Sequence, residues 1–513
     1  MDIFTMPSWL FLSAILILFL FNIFLYALTS IKSSMKLNLP PSPLKLPIIG
    51  NLHQLLSKHR HQALWQLSHK FGPVMLLHFG AKPYIIISSS VMAEEVLKTK
   101  DLLFCTRPYF KSTKTLTYNY LDIAFSPYDN HCKEMRKVFV SELLGPKRAG
   151  LFNNVTEMEI DDLVRSLSLN SPGTAINLEE KLLALVFGIV CKIAFGKSYK
   201  KESSGGVALK KMLEEAKHML GGSIGDHFPI IGPIVDKLSG WNHRLEKCFS
   251  NLDRYAQTIL EEHLETGESE INEHEKDFVH ALIDLSTNTN TGESPLTKDD
   301  MKALIMDVLT GGTDTIVGTM VWAMAEIARN PRVMNKLQKE IRSCIGMKQK
   351  VRTSDITKMT YLKMVVKETL RLHPTAPLLI PRECLQRCKL GGYDVLPGTR
   401  VLVNAWGIGR DPITWGDNSS EFYPERFNVN LEGDFRGSNF DMVPFGGGRR
   451  SCPAVNQATT ITELTIANLF YWFDWEVPNG LRNEQLDMEE EGSLVVLRRN
   501  GLSLVPRNHN WQQ

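Results

Sequence analysis

The chain has no cysteine arrangement that could staple a fold. Its 513 residues hold 8 cysteines, scattered and without a single C-x-x-C pair, so a disulfide framework is excluded. Cys384-x-x-x-Cys388 is the tightest spacing, and no partner cysteines or histidines complete a zinc set around it. Thiols left unpaired in this way suit a protein that faces the reducing cytosol. Charge of one sign is also missing. The formal net charge is +2 and the pI about 8.0, which gives no basis for a nucleic-acid partner. No internal repeat is visible, which argues against a solenoid or propeller.

Long apolar runs are rare too, and the main one lies at the N-terminus. From Trp9 to Leu28 only Ser13 and Asn22 are clearly polar. About 20 residues at roughly 1.5 Å each cross one bilayer core. A secretory signal would need a basic stretch ahead of the run and a small-residue cleavage site; this run follows Asp2 and precedes Lys32 and Lys36. The positive-inside bias then puts the rest of the chain in the cytosol. Leu39-Pro40-Pro41-Ser42-Pro43, with Pro47 close behind, reads as a stiff, extended connector. The expected division is an anchor over 1–30, a proline-rich hinge over 31–50 and a catalytic body over 51–513. Between Glu261 and Asp300 an acidic, Ser/Thr/Asn-rich stretch reads as a charged helix and a loop with a solvated face. Thr297 with Asp299 and Asp300 marks the start of the next helix.

The richest local signal is Pro444-Phe445-Gly446-Gly447-Gly448-Arg449-Arg450-Ser451-Cys452-Pro453. By itself such a run is a glycine turn leading into a buried cysteine. It also suits a thiolate ligand of haem iron: glycines let backbone pass close to a flat macrocycle, amides can point at the sulfur, and Arg450 is two residues away and can reach a propionate. Three other stretches stand out. Glu368-Thr369-Leu370-Arg371 places a carboxylate and a guanidinium at i, i+3 on one helix face, ending at His373-Pro374. Phe422-Tyr423-Pro424-Glu425-Arg426-Phe427 carries a further arginine. Gly311-Gly312-Thr313-Asp314-Thr315 interrupts an apolar helical run from about Met301 to Ala328. Each glycine there costs the helix about 1 kcal/mol against alanine. Thr315 alone can be a residue that bonds back to the i−4 carbonyl.

Together these four stretches resemble the signatures of cytochromes P-450, and the run Phe71-Gly72-Pro73-Val74-Met75 with Asn404-Ala405-Trp406 and Arg410-Asp411-Pro412 looks most like the plant A-type microsomal members. The haem-binding pattern F-x-x-G-x-R-x-C-x-G matches at Phe445, Gly448, Arg450 and Cys452 and departs at Ala454. The resemblance covers the whole chain. It implies a mostly α fold with small β-sheets behind one N-terminal transmembrane helix, haem b held by Cys452, and contacts to the cofactor from Arg136, Arg382, Arg450 and Phe445. It implies that Glu368, Arg371 and Arg426 lock the fold beneath the haem, and that Asp314 and Thr315 serve proton delivery. One landmark is incomplete. The helix after Phe125-Ser126-Pro127-Tyr128 keeps Arg136, but Cys132 stands where the family usually has a tryptophan donating to a propionate. With the family's placement of that helix, a tryptophan at 132 is expected to fit. His131 beside it reads as an exposed side chain.

The resemblance further implies electrons from NADPH through a cytochrome P-450 reductase, with cytochrome b5 as a further partner, and a single-pass endoplasmic reticulum location with the body in the cytosol and in contact with lipid. The activity implied is haem-thiolate monooxygenation of a small apolar plant metabolite: a terpenoid, alkaloid or phenolic. The alternative is a reductase-independent isomerase or dehydratase, a class that often lacks the threonine kept here at 315. Pocket residues are expected from Thr117, Tyr118 and Leu121; Asp307, Val308 and Gly311; Ala376, Leu378 and Leu379; and Ser493, Leu494 and Val495. Asp307 either pairs with a basic nitrogen, which favours an alkaloid, or is a solvated helix residue. Helix is expected to dominate from Gln62 to the 370s, with strands near Val74–Phe79, Tyr84–Ser88, Val401–Asn404 and Leu494–Arg498.

Overall fold

The computed structural model describes residues 37–511, except 57–58, 172, 198–203, 266–275, 288–295, 349, 429–438 and 493. The apolar run at 9–28, Ser493 and most of the acidic stretch after Glu265 lie outside the described residues.

Helices supply most of the body. The ones that matter below are α1 (Arg60–Phe71), α2 (Asn130–Glu142), α3 (Leu178–Phe195), α4 (Ser204–Leu220), α5 (Trp241–Glu265), α6 (Phe278–Thr287), α7 (Lys298–Gly311), α8 (Asp314–Arg329), α9 (Thr360–Leu372) and α10 (Val455–Trp472). Their ends follow from local chemistry. Helix α1 stops where Gly72 turns to φ +94°, a conformation costly for any side chain. Thr297 and Asp300 form a reciprocal capping box at the start of α7. Asp129 caps α2 by accepting from the Cys132 amide at 2.8 Å. Inside the acidic 261–300 stretch the chain forms an apolar helix, α6, with Phe278, Val279, Ala281 and Leu282 buried. That part is therefore core and not a solvated face.

The expected run from Met301 to Ala328 is two helices. Helix α7 ends at Gly311 and α8 begins at Asp314, so Gly311-Gly312-Thr313 is a break in a nearly continuous rod. Every residue of α8 from Ile316 to Ala328 is buried, the pattern of a helix surrounded by protein on all sides. Taken together, α7 and α8 (298–329) are the one helical span among the described residues long and apolar enough to cross a membrane, and most of it is packed inside the fold.

A four-stranded sheet sits at one edge. It contains β1 (Val74–Phe79), β2 (Lys82–Ile87), β3 (Arg382–Glu383) and β4 (Arg400–Val403) in the order β1-β2-β4-β3. β1 and β2 form an antiparallel hairpin with Val74 opposite Ile87. β2 and β4 run parallel with Tyr84 opposite Arg400. Ile85, Ile87, Val401 and Val403 point into a local apolar core with Phe104 and Val443, which places the sheet beside the glycine-rich cysteine loop. The expected strand at Leu494–Arg498 is shorter, Val496–Arg498.

Candidate active site

The loop before Cys452 is closed by its own backbone: the Cys452 amide donates to the Phe445 carbonyl at 2.9 Å. Gly448 has φ +66°, and a Cβ there would lie 2.1 Å from the Leu97 carbonyl oxygen, so only glycine fits this approach. The carboxylate of Asp101, itself buried, then pins the loop from outside. It accepts from the Arg449 amide at 3.0 Å, the Arg449 guanidinium at 3.1 Å and Arg382 at 2.9 Å.

Cys452 borders a cavity of about 360 Å³, and so do Phe445, Arg136, Arg382 and Arg450. Burial pushes the Cys452 thiol pKa up, opposed by the Ala454 amide and by Arg136; coordination to a metal is what holds such a sulfur as thiolate. Arg136 donates to the Ser451 carbonyl at 2.5 Å. Arg382 donates to the Gly447 carbonyl at 2.7 Å. Arg450 donates to the carbonyls of Cys105 at 2.8 Å and Ile123 at 3.0 Å, and to that of Ser126.

Sequence reasoning missed a fourth guanidinium. Arg107 borders the same cavity and donates to the carbonyls of Ala124 (2.9 Å), Ile380 (2.8 Å) and Pro381 (3.0 Å). Burial holds the pKa values of Arg107, Arg136 and Arg382 down, and neighbouring arginines add to this at Arg107. Four guanidiniums converging on one apolar cavity, answered largely by neutral carbonyls, make a site for an anionic group. With one sulfur on the wall and a glycine loop beneath it, the residues fit a flat apolar macrocycle carrying carboxylates. Nothing local at Arg107 signals this; its partners lie 17 and more than 270 positions away.

The opposite wall is the α7–α8 break. Gly311, Gly312 and Thr315 border the cavity, and a Cβ on Gly311 would meet no atom within 4 Å. The Thr315 hydroxyl donates to the Gly311 carbonyl at 2.8 Å, the oxygen that an unbroken helix would give to the Thr315 amide. Thr315 therefore both bonds back along the helix and faces the cavity. Asp314 is not among the lining residues; its carboxylate is ion-paired with Lys217 of α4, which does line the cavity.

Of the expected pocket residues, Asp307, Val308, Gly311, Ala376, Leu379, Leu494 and Val495 border the cavity, whereas Thr117, Tyr118, Leu121 and Leu378 do not. The backbone explains Tyr118. Tyr118, Asn119 and Tyr120 all take positive φ, 51°, 63° and 69°, and this turn swings the Tyr118 hydroxyl to Asp253 of α5 at 3.0 Å. Asp307 is half-buried on the cavity wall. Its Oδ2 accepts from the Ile123 amide at 2.8 Å, and burial plus the nearby Asp122 carboxyl push its pKa well above the carboxylate range. His131 is half-buried, its Nε2 lying 3.4 Å from the Leu121 carbonyl and 3.5 Å from Asp300.

The lock beneath the site has the expected members. Arg371 donates to Glu368 at 2.7 and 2.8 Å, and Arg426 donates to it at 2.9 Å. The remaining donors of Arg371 meet the carbonyls of Ser419 and Glu421 at 2.5 and 3.0 Å, so a pair that is wholly buried is also fully hydrogen-bonded.

Comparison with known proteins agrees with this geometry. The family model described as Cytochrome P450 matches residues 40–505. The chain is 56% identical over 495 residues to parthenolide synthase of Tanacetum parthenium, covering 96% of each protein. It is 44% identical over 514 residues to eupatolide synthase of Helianthus annuus, covering 100% of each. Among solved structures, a zebrafish cytochrome P450 with progesterone superposes with a TM-score of 0.76 at 26% identity, over 88% of this chain and 100% of that one. Fold, haem-thiolate monooxygenase class, haem cofactor and NADPH-reductase electron supply all stand as expected from the sequence; the isomerase or dehydratase alternative is not favoured.

Proposed function

The chain belongs to the cytochrome P450 family, and on that premise we propose that it oxidises a terpenoid, held at the cytosolic face of the endoplasmic reticulum membrane. The observation that carries the reading is the cavity itself: apolar side chains enclose about 360 Å³ between Cys452 and the Gly311–Thr315 break. The terpenoid assignment rests on the relatives named parthenolide synthase and eupatolide synthase.

Haem, when bound, supplies the oxygen chemistry. Cys452 would hold its iron, and Arg107, Arg136, Arg382 and Arg450 would hold its carboxylates. Ile123, Phe125, Val308 and Leu379 exclude water and orient a hydrocarbon skeleton. The Thr315 hydroxyl gives its own hydrogen to the Gly311 carbonyl and so turns oxygen lone pairs, an acceptor, to the cavity, with Asp314 one residue before it and Lys217 paired to that carboxylate. Asp307, on the cavity wall, has its charged form disfavoured by burial, which makes it a weaker counter-ion for an amine than an ordinary carboxylate.

Membrane attachment draws on two features. One is the apolar run at 9–28. The other is an exposed apolar surface: Ile48 and Ile49 in one turn, and Ile230, Ile231 and Leu238 in another segment, are all exposed. The two meet at Gly80–Ala81, where the Gly80 amide donates to Ile49 at 3.3 Å and the Ala81 amide to His227 at 2.9 Å. Two apolar turns on one side, continuous with the hinge, suit a bilayer interface. Cytochrome b5 is a further redox partner on the same reading.

The test is co-expression with a plant reductase and incubation of microsomes with terpenoids, alkaloids and phenolics, with and without NADPH. An NADPH-dependent oxidised terpenoid is expected. Turnover without NADPH or reductase would reinstate the isomerase or dehydratase reading. Deleting residues 3–28 should free much of the protein from membranes and leave the haem spectrum intact; loss of haem would make that segment part of the fold.

A further inference from the structure

Away from the cavity, α5 and α6 bring two imidazoles and a carboxylate together. His263 lies in the last turn of α5, Asp277 just ahead of α6, and His280 in its first turn. Candidate ligand atoms of the three all lie within 4.8 Å of one another. His263 Nε2 is 2.9 Å from Asp277 Oδ2, and His280 Nδ1 is 2.9 Å from Asp277 Oδ1. The two rings have centroids 4.6 Å apart. Side-chain exposure is 5% for His263, 3% for Asp277 and 19% for His280. None of the three borders the haem cavity.

The hydrogen bonding leaves room for a cation. His263 Nδ1 lies 2.7 Å from the Ile259 carbonyl, one turn back in α5. A carbonyl only accepts, so Nδ1 carries the hydrogen. A proton on Nε2 as well makes the ring an ion-pair partner of Asp277 Oδ2; without it the Nε2 lone pair faces a carboxylate oxygen, an arrangement that needs a cation between the two. A ligand histidine is typically oriented this way, its far nitrogen donating to a backbone carbonyl. His280 has no hydrogen-bond partner at either ring nitrogen, although both atoms are buried. Its Nδ1 approaches Asp277 Oδ1 outside hydrogen-bonding geometry, and that oxygen already accepts from the His280 amide at 3.0 Å. His263 Nε2 therefore meets the carboxylate either as an N–H donor or through a cation, and His280 brings a second nitrogen with no donor role to the same anion. The carboxylate is held in place behind: a Cβ on Gly196 would come within 2.7 Å of Asp277 Oδ2, and Arg148 donates to the Asp277 carbonyl at 3.1 Å.

The geometry points to a divalent-cation site of the zinc class, with His263 Nε2, an Asp277 oxygen and a His280 ring nitrogen as protein ligands and a water in the fourth position. Two imidazoles and one carboxylate are a zinc ligand set. The ion would clip the end of α5 to the start of α6 across residues 266–275. Since α6 packs on α3 and α7, the clip would stiffen the scaffold behind the α7–α8 break without entering the reaction.

The test uses untagged, haem-loaded full-length protein in detergent, stripped with a chelator, desalted and given zinc chloride alone. Metal per chain is read by mass spectrometry after a second desalting, and thermal unfolding is followed with and without zinc. About one zinc per chain, with a higher Tm, is expected. His280→Gln should lower zinc affinity by about tenfold or more, with an unchanged reduced carbon monoxide spectrum showing that the fold survives. His263→Gln should do the same. No retained zinc in the parent protein would overturn the site and leave His263 as a charged partner of Asp277. Stoichiometric zinc retained at full affinity by His280→Gln would also overturn it, and that variant decides even where His263→Gln fails to fold.

Discussion

Lys217 of α4 and Asp314 at the head of α8 form an ion pair that joins a cavity-lining helix to the break in the central rod. Asp314 is buried, so removing its partner strands a carboxylate. Lys217→Met is expected to cost about 1–3 kcal/mol and to change the ratio of product to NADPH consumed, with Lys217→Arg restoring most of both. Calorimetry and coupling measurements on the same preparations check this; an unchanged ratio in Lys217→Met would detach the pair from proton delivery.

Thr315 holds its hydroxyl on the Gly311 carbonyl at 2.8 Å while facing the cavity. Thr315→Ala is expected to lower product per NADPH by about tenfold or more and to release hydrogen peroxide, with substrate affinity little changed. Thr315→Ser keeps a hydroxyl and should stay close to the parent. Full coupling in Thr315→Ala would reduce the residue to a helix back-bond.

Cys452 is the sulfur that borders the cavity at the end of the glycine loop. Cys452→Ser is expected to lose the thiolate-type reduced carbon monoxide spectrum and all turnover. Should that spectrum persist, another cysteine holds the iron.

Burial raises the Asp122 pKa to about 6, against an ordinary value of 3.8, and the same cause acts on Asp307 beside it. A carboxyl with a raised folded pKa favours the protonated fold. Its contribution is complete below about pH 4 and is lost as pH rises through about 6. Asp122→Asn keeps an acceptor for the Ala124 and Phe125 amides, which bond Oδ2 at 3.1 and 2.7 Å, and cannot ionise. Relative to the parent, it should be more stable at pH 8 than at pH 5, by about 1–3 kcal/mol between the two. Denaturant unfolding at both values reads the difference; a pH-independent difference would show that Asp122 ionises as freely as in water.

Cys132 is buried at 2% exposure and does not border the cavity, so a tryptophan at this position has to be accommodated inside packed protein. Overfilling a packed site costs about 1–3 kcal/mol, and Cys132→Trp should lower both Tm and haem occupancy. Arg136→Ala should lose haem faster in transfer to an apo-acceptor while unfolding near the parent temperature. Equal haem retention in Arg136→Ala would leave Arg107, Arg382 and Arg450 as the anion site.

What the sequence determined by itself is what short-range chemistry controls. The Glu368–Arg371 face, the Gly72 stop, the Thr297 cap and the β1 strand each depend on residues within a few positions and are legible from those residues, and the glycines and cysteine of the 444–453 loop are legible in the same way. The GGTDT run announced a helix disturbance, because two glycines weaken a helix wherever it lies. The tertiary structure decided what the long loops bring in. Arg107 reaches Ile380 and Pro381, Lys217 reaches Asp314, and Asp101 holds the loop around Gly447–Arg449. A positive-φ turn carries Tyr118 away from the pocket and leaves Asp307 against Ile123. Such side chains carry no periodic signal, since their roles come from desolvation and from partners distant in the sequence. Burial raises the Asp307 pKa, and burial is a property of the fold and not of the residue.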